Sequence, residues 1–111
     1  MSIMRFQKMH GCGNDFVILD QHEVKGMLTS EQIRHICDRH FGIGCDQMVL
    51  LETSGKADVF VRFYKADGSE SSACGNASRC VADIVMEELK ADSCVIETGA
   101  GLLSCRRVDD L

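Results

Sequence analysis

The segment SSACGNASRC, residues 71–80, places a cysteine, a glycine and an asparagine directly before a strongly helical sequence. The first turn of a helix carries N–H groups without intrahelical acceptors and the positive end of the peptide dipoles. A sulfur at Cys74 is thereby stabilised as its thiolate, with a pKa below the free value of about 8.5. The same N–H groups bind carboxylates, and Gly75 lets a ligand approach the backbone closely. The segment therefore predicts a reactive thiolate beside a carboxylate-binding helix end.

The spacing leaves a second interpretation open, in which Asn76 only caps the helix and Cys74 fills a small gap. The other cysteines divide into two groups. Four fall in or beside patterned elements and are predicted to be small core residues: Cys37, Cys80, Cys94 and Cys105. Cys12 and Cys45 lie in glycine-containing loops, where a chemical role stays open.

The elements that must position Cys74 follow from hydrophobic periodicity. Residues 76–91 have polar side chains at helical spacing and a broad apolar face, which predicts a deeply packed helix. A second helix is predicted over residues 28–40, with a capping box at Thr29 and Gln32 and an apolar stripe. That stripe consists of Ile33, Ile36 and Cys37.

Strands account for most of the remaining chain. Residues 48–53 and 58–66 alternate most clearly and are joined by the probable hairpin SGKA. Further strands are predicted at 3–11 and 16–20, and a strand–turn–strand unit at 93–108. Asp15, Asp46 and Asp67 are interpreted as turn-capping residues. The pattern indicates an α+β domain whose sheet curves around the 76–91 helix.

Composition limits the class of protein. A chain of 111 residues suits one domain, and a net charge of -5 argues against a nucleic-acid-binding protein. No apolar run reaches membrane-spanning length and no secretion signal is visible, so no membrane partner is expected. Seven cysteines, an odd number, favour the reducing cytoplasm. Cys37-x-x-His40 lacks a second ligand pair, so no metal site is expected.

Three segments resemble, in order and spacing, the signature segments of the diaminopimelate epimerase family: KMHGCGNDFVILD, RHFGIGCDQMVLL and FYKADGSESSACGNASRC. The resemblance implies interconversion of LL- and meso-diaminopimelate by two cysteines on opposite faces of the substrate, without pyridoxal phosphate or any other cofactor. This reaction serves lysine and peptidoglycan precursor biosynthesis. Cys74 matches the first of the two cysteines.

The resemblance also implies binding roles and a fold. Gly75 and Asn76 match positions whose backbone amides bind the reacting carboxylate, and Asn14 and Gln47 match side chains that contact substrate. The implied fold has two similar halves, each a mixed sheet curved as a partial barrel around a central helix, with the site between them. Residues 1–111 then form the N-terminal domain, and the second cysteine belongs to an absent C-terminal domain.

Two positions depart from the family pattern. Lys65 stands where the family usually has a substrate-contacting asparagine; it either pairs with a distal carboxylate or faces solvent. Ala77 replaces a glycine. Alternatives therefore stay open: another racemase or isomerase of the same fold, acting for example on a proline derivative, or a non-catalytic isolated domain. Expected partners are the small-molecule substrate, the C-terminal domain of the same protein, or a second copy of the chain.

Overall fold

The computed structural model describes residues 5–11, 13–24, 26, 28–71 and 75–108. Within these ranges the chain forms one mixed sheet of seven strands and two α-helices, as the α+β prediction required. The strands are β1 (Gln7–Gly11), β2 (Asn14–Asp20), β3 (Gln47–Glu52), β4 (Val59–Lys65), β5 (Glu70–Ser71), β6 (Ser93–Thr98) and β7 (Gly101–Arg106). The α-helices are α1 (Ser30–Cys37) and α2 (Gly75–Leu89), and a short 3₁₀-helix covers Gln21–Glu23.

The strand order along the sheet is β1-β2-β3-β4-β6-β7, and β5 pairs with β4. The β1–β2, β3–β4 and β6–β7 pairs are antiparallel, which confirms the predicted SGKA hairpin between β3 and β4. The β2–β3 and β4–β6 pairs are parallel. Each parallel pair is joined by a connection that contains a helix, α1 in the first and α2 in the second.

The two helices pack on opposite faces of the sheet. On the α2 face, Phe16, Val49 and Phe63 form one core with buried residues of α2. On the α1 face, Val17, Met48 and Ile33 belong to a second, smaller core. Since side chains alternate along a strand, β2, β3 and β4 each contribute to both cores.

Strand β4 shows the predicted alternation. Val59, Val61 and Phe63 are buried against α2, while the intervening residues are only half-buried. Arg62, one of these, carries its guanidinium 4.9 Å from the centre of the Phe60 ring. The alternation fixes the side of the sheet on which every residue of this strand lies.

Helix α1 has the predicted capping box, in which Thr29 and Gln32 exchange side-chain and backbone hydrogen bonds. Its end was predicted wrongly, because the helix stops at Cys37 and not near residue 40. The Asp38 carboxylate accepts the N–H groups of His40 at 2.7 Å and Phe41 at 3.1 Å. These bonds turn the chain out of the helix, as Asp side chains commonly do at turns.

Helix α2 is the predicted 76–91 helix, shifted by a residue or two at each end. It ends at Leu89 because Lys90 adopts a left-handed conformation with a φ of 53°. Lys90 N–H donates to the Glu87 carbonyl and Ala91 N–H donates to the Met86 carbonyl, the bonding pattern of a Schellman motif. Among the described helices, none is long and apolar enough to cross a membrane.

Candidate functional site

Three of the predicted substrate-binding residues lie together at one end of the sheet. Gln47 begins β3 and pairs directly with Lys65, which ends β4. Asn14 begins β2 and lies two residues before Phe16, which pairs with Gln47. The antiparallel β3–β4 pair and the parallel β2–β3 pair thus bring residues from three strands to the same end of the sheet.

The same three residues lie on the α2 face. Asn14 and Gln47 precede the core residues Phe16 and Val49 by two positions, and Lys65 follows Phe63 by two. Because side chains repeat their direction every second residue in a strand, all three point to the side on which α2 packs. Asn14 and Gln47 are half-buried and Lys65 is exposed.

Helix α2 begins at this end of the sheet. Gly11 pairs with Asn14, and a Cβ built on Gly11 would lie 3.8 Å from the Cys80 sulfur, in the second turn of α2. Gly75 is the first residue of α2, and a Cβ built there would meet no described atom within 4 Å. Gly75 is exposed and Asn76 is half-buried. The Cβ side of Gly75, at the start of the helix, therefore faces open space among the described residues.

A tight turn carries the chain from β4 back toward the helix. Lys65 N–H donates to the Ser69 carbonyl at 2.8 Å, and Gly68 N–H donates to the Lys65 carbonyl at 2.9 Å. Gly68 has a φ of +92°, and a Cβ there would lie 2.5 Å from the Ser30 carbonyl oxygen of α1. Only glycine fits this position. Asp67 caps the turn as predicted, accepting the Ser69 N–H at 2.8 Å.

Strand β5 follows this turn and is not among the strands predicted from the sequence. Ser71 pairs with Phe63, so the short strand lies against the end of β4. Arg62 holds it there: its guanidinium contacts the Glu52 carboxylate of β3 and lies 3.1 Å from the Glu70 carboxylate.

Behind Asn14 and Gln47, their chain neighbours Asp15 and Asp46 form a cluster with Arg39. Arg39 donates to both Asp15 carboxylate oxygens, at 3.1 and 2.8 Å, and to the Asp46 carboxylate at 3.2 Å. We call Asp15, Arg39 and Asp46 the Arg39 cluster. The interpretation of Asp15 and Asp46 as local turn-capping residues was wrong, because their carboxylates bind groups far away in the sequence.

The Arg39 guanidinium holds the pKa of the Asp15 carboxyl well below its usual range. The Asp46 N–H and the Lys8 ammonium, 3.4 Å away, act in the same direction. A lowered pKa means that the stabilisation by this carboxylate is present above its unfolded value of about 4 and is lost only in stronger acid. Asp15 therefore stays ionised throughout the range in which enzymes are normally assayed.

Cys74 and Cys12 lie outside the described residues. Cys37, Cys80 and Cys94 are buried, as predicted for core residues, and Cys105 is half-buried against the α2-face core. Cys45, whose role the sequence left open, is buried with its sulfur 3.5 Å from that of Cys37. Across the described ranges, no three His, Cys, Asp or Glu side chains are grouped to hold a metal ion.

The arrangement gathers polar binding groups at the start of a helix. Gly75 and Asn76 lie at the same end of the sheet as three polar side chains. These are the amides of Asn14 and Gln47 and the ammonium of Lys65. Helix N–H groups and an ammonium attract carboxylates, and side-chain amides donate and accept hydrogen bonds. Such a set of groups suits a small molecule that carries more than one carboxylate.

Comparisons of the sequence with known proteins identify similar proteins. The family model described as "Diaminopimelate epimerase" matches residues 6–110. A diaminopimelate epimerase of Gluconobacter oxydans is 52% identical over 110 residues, covering 97% of this chain and 41% of that protein. One of Rhodospirillum centenum is 52% identical over 106 residues, covering 94% and 36%. The chain thus spans about two-fifths of the length of these curated relatives.

A solved structure shares the fold. The crystal structure of methylitaconate-delta-isomerase matches with a TM-score of 0.73 at 20% identity, covering 95% of this chain and 59% of that one. At this identity the match concerns the fold alone, and it agrees with the predicted mixed sheet curved around a central helix. The match of the family model to nearly the whole sequence goes further: the chain belongs to the diaminopimelate epimerase family.

Proposed function

We propose that this chain is the N-terminal domain of an epimerase that interconverts LL- and meso-diaminopimelate, with Cys74 as one of two acid/base thiols. The proposal rests on one observation: Asn14, Gln47 and Lys65 lie at the end of the sheet where α2 begins. These residues come from four separate parts of the sequence. In the sequence, Cys74 directly precedes the first residue of that helix.

The proposed reaction divides between the helix and the thiols. The amides of Gly75 and Asn76 bind the α-carboxylate of the substrate, which stabilises the negative charge that develops as the α-proton leaves. The Cys74 thiolate removes that proton and becomes a thiol. A second cysteine, on the opposite face of the substrate, delivers its own proton to the α-carbon and becomes a thiolate. The configuration inverts, and solvent restores the two protonation states.

Lys65 is proposed to bind the distal carboxylate of the substrate. It is exposed at the end of β4, next to Gln47, on the α2 face. An ammonium there favours a substrate with a second carboxylate over a proline derivative, which has only one. This supports diaminopimelate over the alternative substrate, although both place an α-carboxylate at the helix end.

The second cysteine is proposed to come from a C-terminal domain of the same protein. This chain corresponds to 36–41% of the length of the two relatives described above, so their remaining sequence is long enough for a second half. Among the described residues, Leu102 and Leu103 of β7 are 56% and 41% exposed, which leaves apolar surface for a packed partner. A second copy of the chain is the competing occupant of that surface.

Deuterium exchange tests the proposal directly. The full-length gene product is incubated in deuterated buffer, without added cofactor, with LL-diaminopimelate and separately with L-proline and its hydroxylated derivative. We expect one deuterium at the α-carbon of diaminopimelate, together with formation of the meso isomer, and none in the proline compounds. The 111-residue chain alone is expected to give little or no exchange.

Exchange in a proline compound but not in diaminopimelate would indicate another racemase or isomerase of the same fold, acting on a different substrate. Near-normal turnover by the 111-residue chain alone would refute the need for a second half. Loss of exchange in all substrates by a folded full-length protein would refute an epimerase function.

A further inference from the structure

We infer that Arg39 is a positioning residue for the site: by clamping Asp15 to Asp46 it fixes the relative placement of Asn14 and Gln47. The inference rests on the proposed function, because it assigns Arg39 a role in holding two proposed substrate-binding residues. Arg39 itself lies beyond the end of α1 and is 55% exposed. It belongs to none of the strands that carry the binding residues.

The cluster joins β2 to the loop before β3 by reciprocal bonds. Asp15 N–H donates to the Asp46 carboxylate at 3.0 Å, and Asp46 N–H donates to the Asp15 carboxylate at 2.8 Å. Asp46 N–H also lies 3.1 Å from the Asp15 carbonyl oxygen, which extends the parallel β2–β3 pairing by one step. The two acidic residues are thus locked together through both backbone and side chain.

Two carboxylates this close repel each other unless a cation lies between them. Arg39 supplies it, with a bidentate bond to Asp15 and a further bond from the same Nη2 atom to Asp46. A bidentate guanidinium–carboxylate pair fixes direction as well as distance. Lysine offers a point charge and cannot reproduce this geometry. Lys8, 3.4 Å from Asp15, assists on one side only.

Each acid of the cluster is joined to a proposed binding residue by one peptide bond. Asp15 follows Asn14 directly and Asp46 precedes Gln47 directly. Because the two acids are bonded to each other, the backbone positions of Asn14 and Gln47 are fixed as well. The acids lie on the α1 face by strand alternation, whereas Asn14 and Gln47 lie on the α2 face. The cluster therefore supports the site from the opposite face of the sheet and is not among the proposed substrate contacts.

The test compares Arg39→Met and Arg39→Lys in the full-length gene product, with Arg107→Met as the matched control. Arg107 is a partly exposed arginine that also bridges two carboxylates, those of Asp83 and Glu87 on helix α2. Epimerisation of diaminopimelate is measured at a temperature where hydrogen exchange shows every variant to be folded. Each Arg39 substitution is also made in an Asn14→Ala, Gln47→Ala background.

We expect Arg39→Met to lower kcat/KM by about ten- to a hundredfold, since small misplacements of binding groups have effects of that size. Arg39→Lys should fall between Arg39→Met and the unchanged protein, and Arg107→Met should stay within about twofold. In the Asn14→Ala, Gln47→Ala background the Arg39→Met effect should shrink below about threefold, because the residues through which it acts are gone.

Equal Arg39→Met losses in both backgrounds, or an unchanged kcat/KM in the folded variant, would overturn the inference. Inactivity of the unsubstituted protein would instead refute the proposed function. The placement is then read independently by ¹H–¹⁵N NMR of the Asn14 and Gln47 side-chain amides, which should shift in Arg39→Met and not in Arg107→Met. Unshifted amides would overturn the inference whatever the activity.

Discussion

Cys74→Ala lowers the rate of epimerisation by about a thousandfold in the full-length gene product, the usual worth of a positioned general acid or base. The reason is that removal of the α-proton from an ammonium carboxylate needs a base within reach, and alanine supplies none. The measurement is kcat for diaminopimelate, together with deuterium incorporation at the α-carbon. Both should fall together, because the substitution removes the base that begins the exchange.

Cys105→Ala is the matched control for this prediction. Cys105 is half-buried in β7, where it pairs with Cys94 across the strands, and β7 lies at the edge of the sheet far along the strand order from β2 and β3. Its substitution should leave kcat within about twofold. Retention of activity by Cys74→Ala within tenfold would contradict the assignment of Cys74 as an acid/base group.

Phe16→Ala should lower the free energy of unfolding of this domain by about 3–5 kcal/mol, the cost of deleting a large buried aromatic side chain. Phe16 is fully buried in the α2-face core and pairs with Met9 on one side and Gln47 on the other. The cavity would therefore open next to the end of the sheet that carries the proposed binding residues. Hydrogen exchange of β2, β3 and α2 in the full-length protein measures the change.

Phe41→Ala provides the comparison, since Phe41 is the same residue type but 80% exposed in the loop after α1. It should change the stability by no more than about 0.5 kcal/mol. Equal protection of β2 in Phe16→Ala and the unsubstituted protein would show that Phe16 does not hold this core together.

Features governed by near neighbours were predictable from the sequence. The capping box of α1 needs only Thr29 and Gln32, three residues apart, and the structure has both bonds. The alternation of Val59, Val61 and Phe63 decided the buried face of β4 in the same way. In each case the physical cause lies within one turn or one strand, so the spacing alone contains it.

Features governed by distant residues were not predictable. Asp15 and Asp46 are 31 positions apart, and Arg39 is 24 positions from Asp15, so no local pattern indicates their cluster. Strand β5 has only two residues, both polar, and forms because the Gly68 turn returns the chain to β4. A basic residue in RHFGIGCDQ, shortly before an acid that adjoins a binding position, is the one signal that pointed toward Arg39.

The convergence of the site residues lay between these two cases. The family resemblance indicated Asn14, Gln47 and Lys65. Only the pairing of β2 with β3 and of β3 with β4 brings them to one end of the sheet. Register depends on which strands pair, and that choice depends on the whole core and not on any one segment. The sequence therefore supplied the residues, and the pairing supplied their common location.

The pH dependence of iodoacetamide alkylation measures whether the start of α2 makes the neighbouring sulfur acidic. Peptide mapping of the native full-length protein follows Cys74 alongside Cys94, an internal reference in which burial raises the thiol pKa to about 11. We predict a midpoint for Cys74 well below about 8.5, the value for a free cysteine, and faster labelling at pH 7 than at any other cysteine in residues 1–111. A midpoint at or above that value, or labelling no faster than at Cys94, would show that the helix does not lower the pKa of the Cys74 thiol.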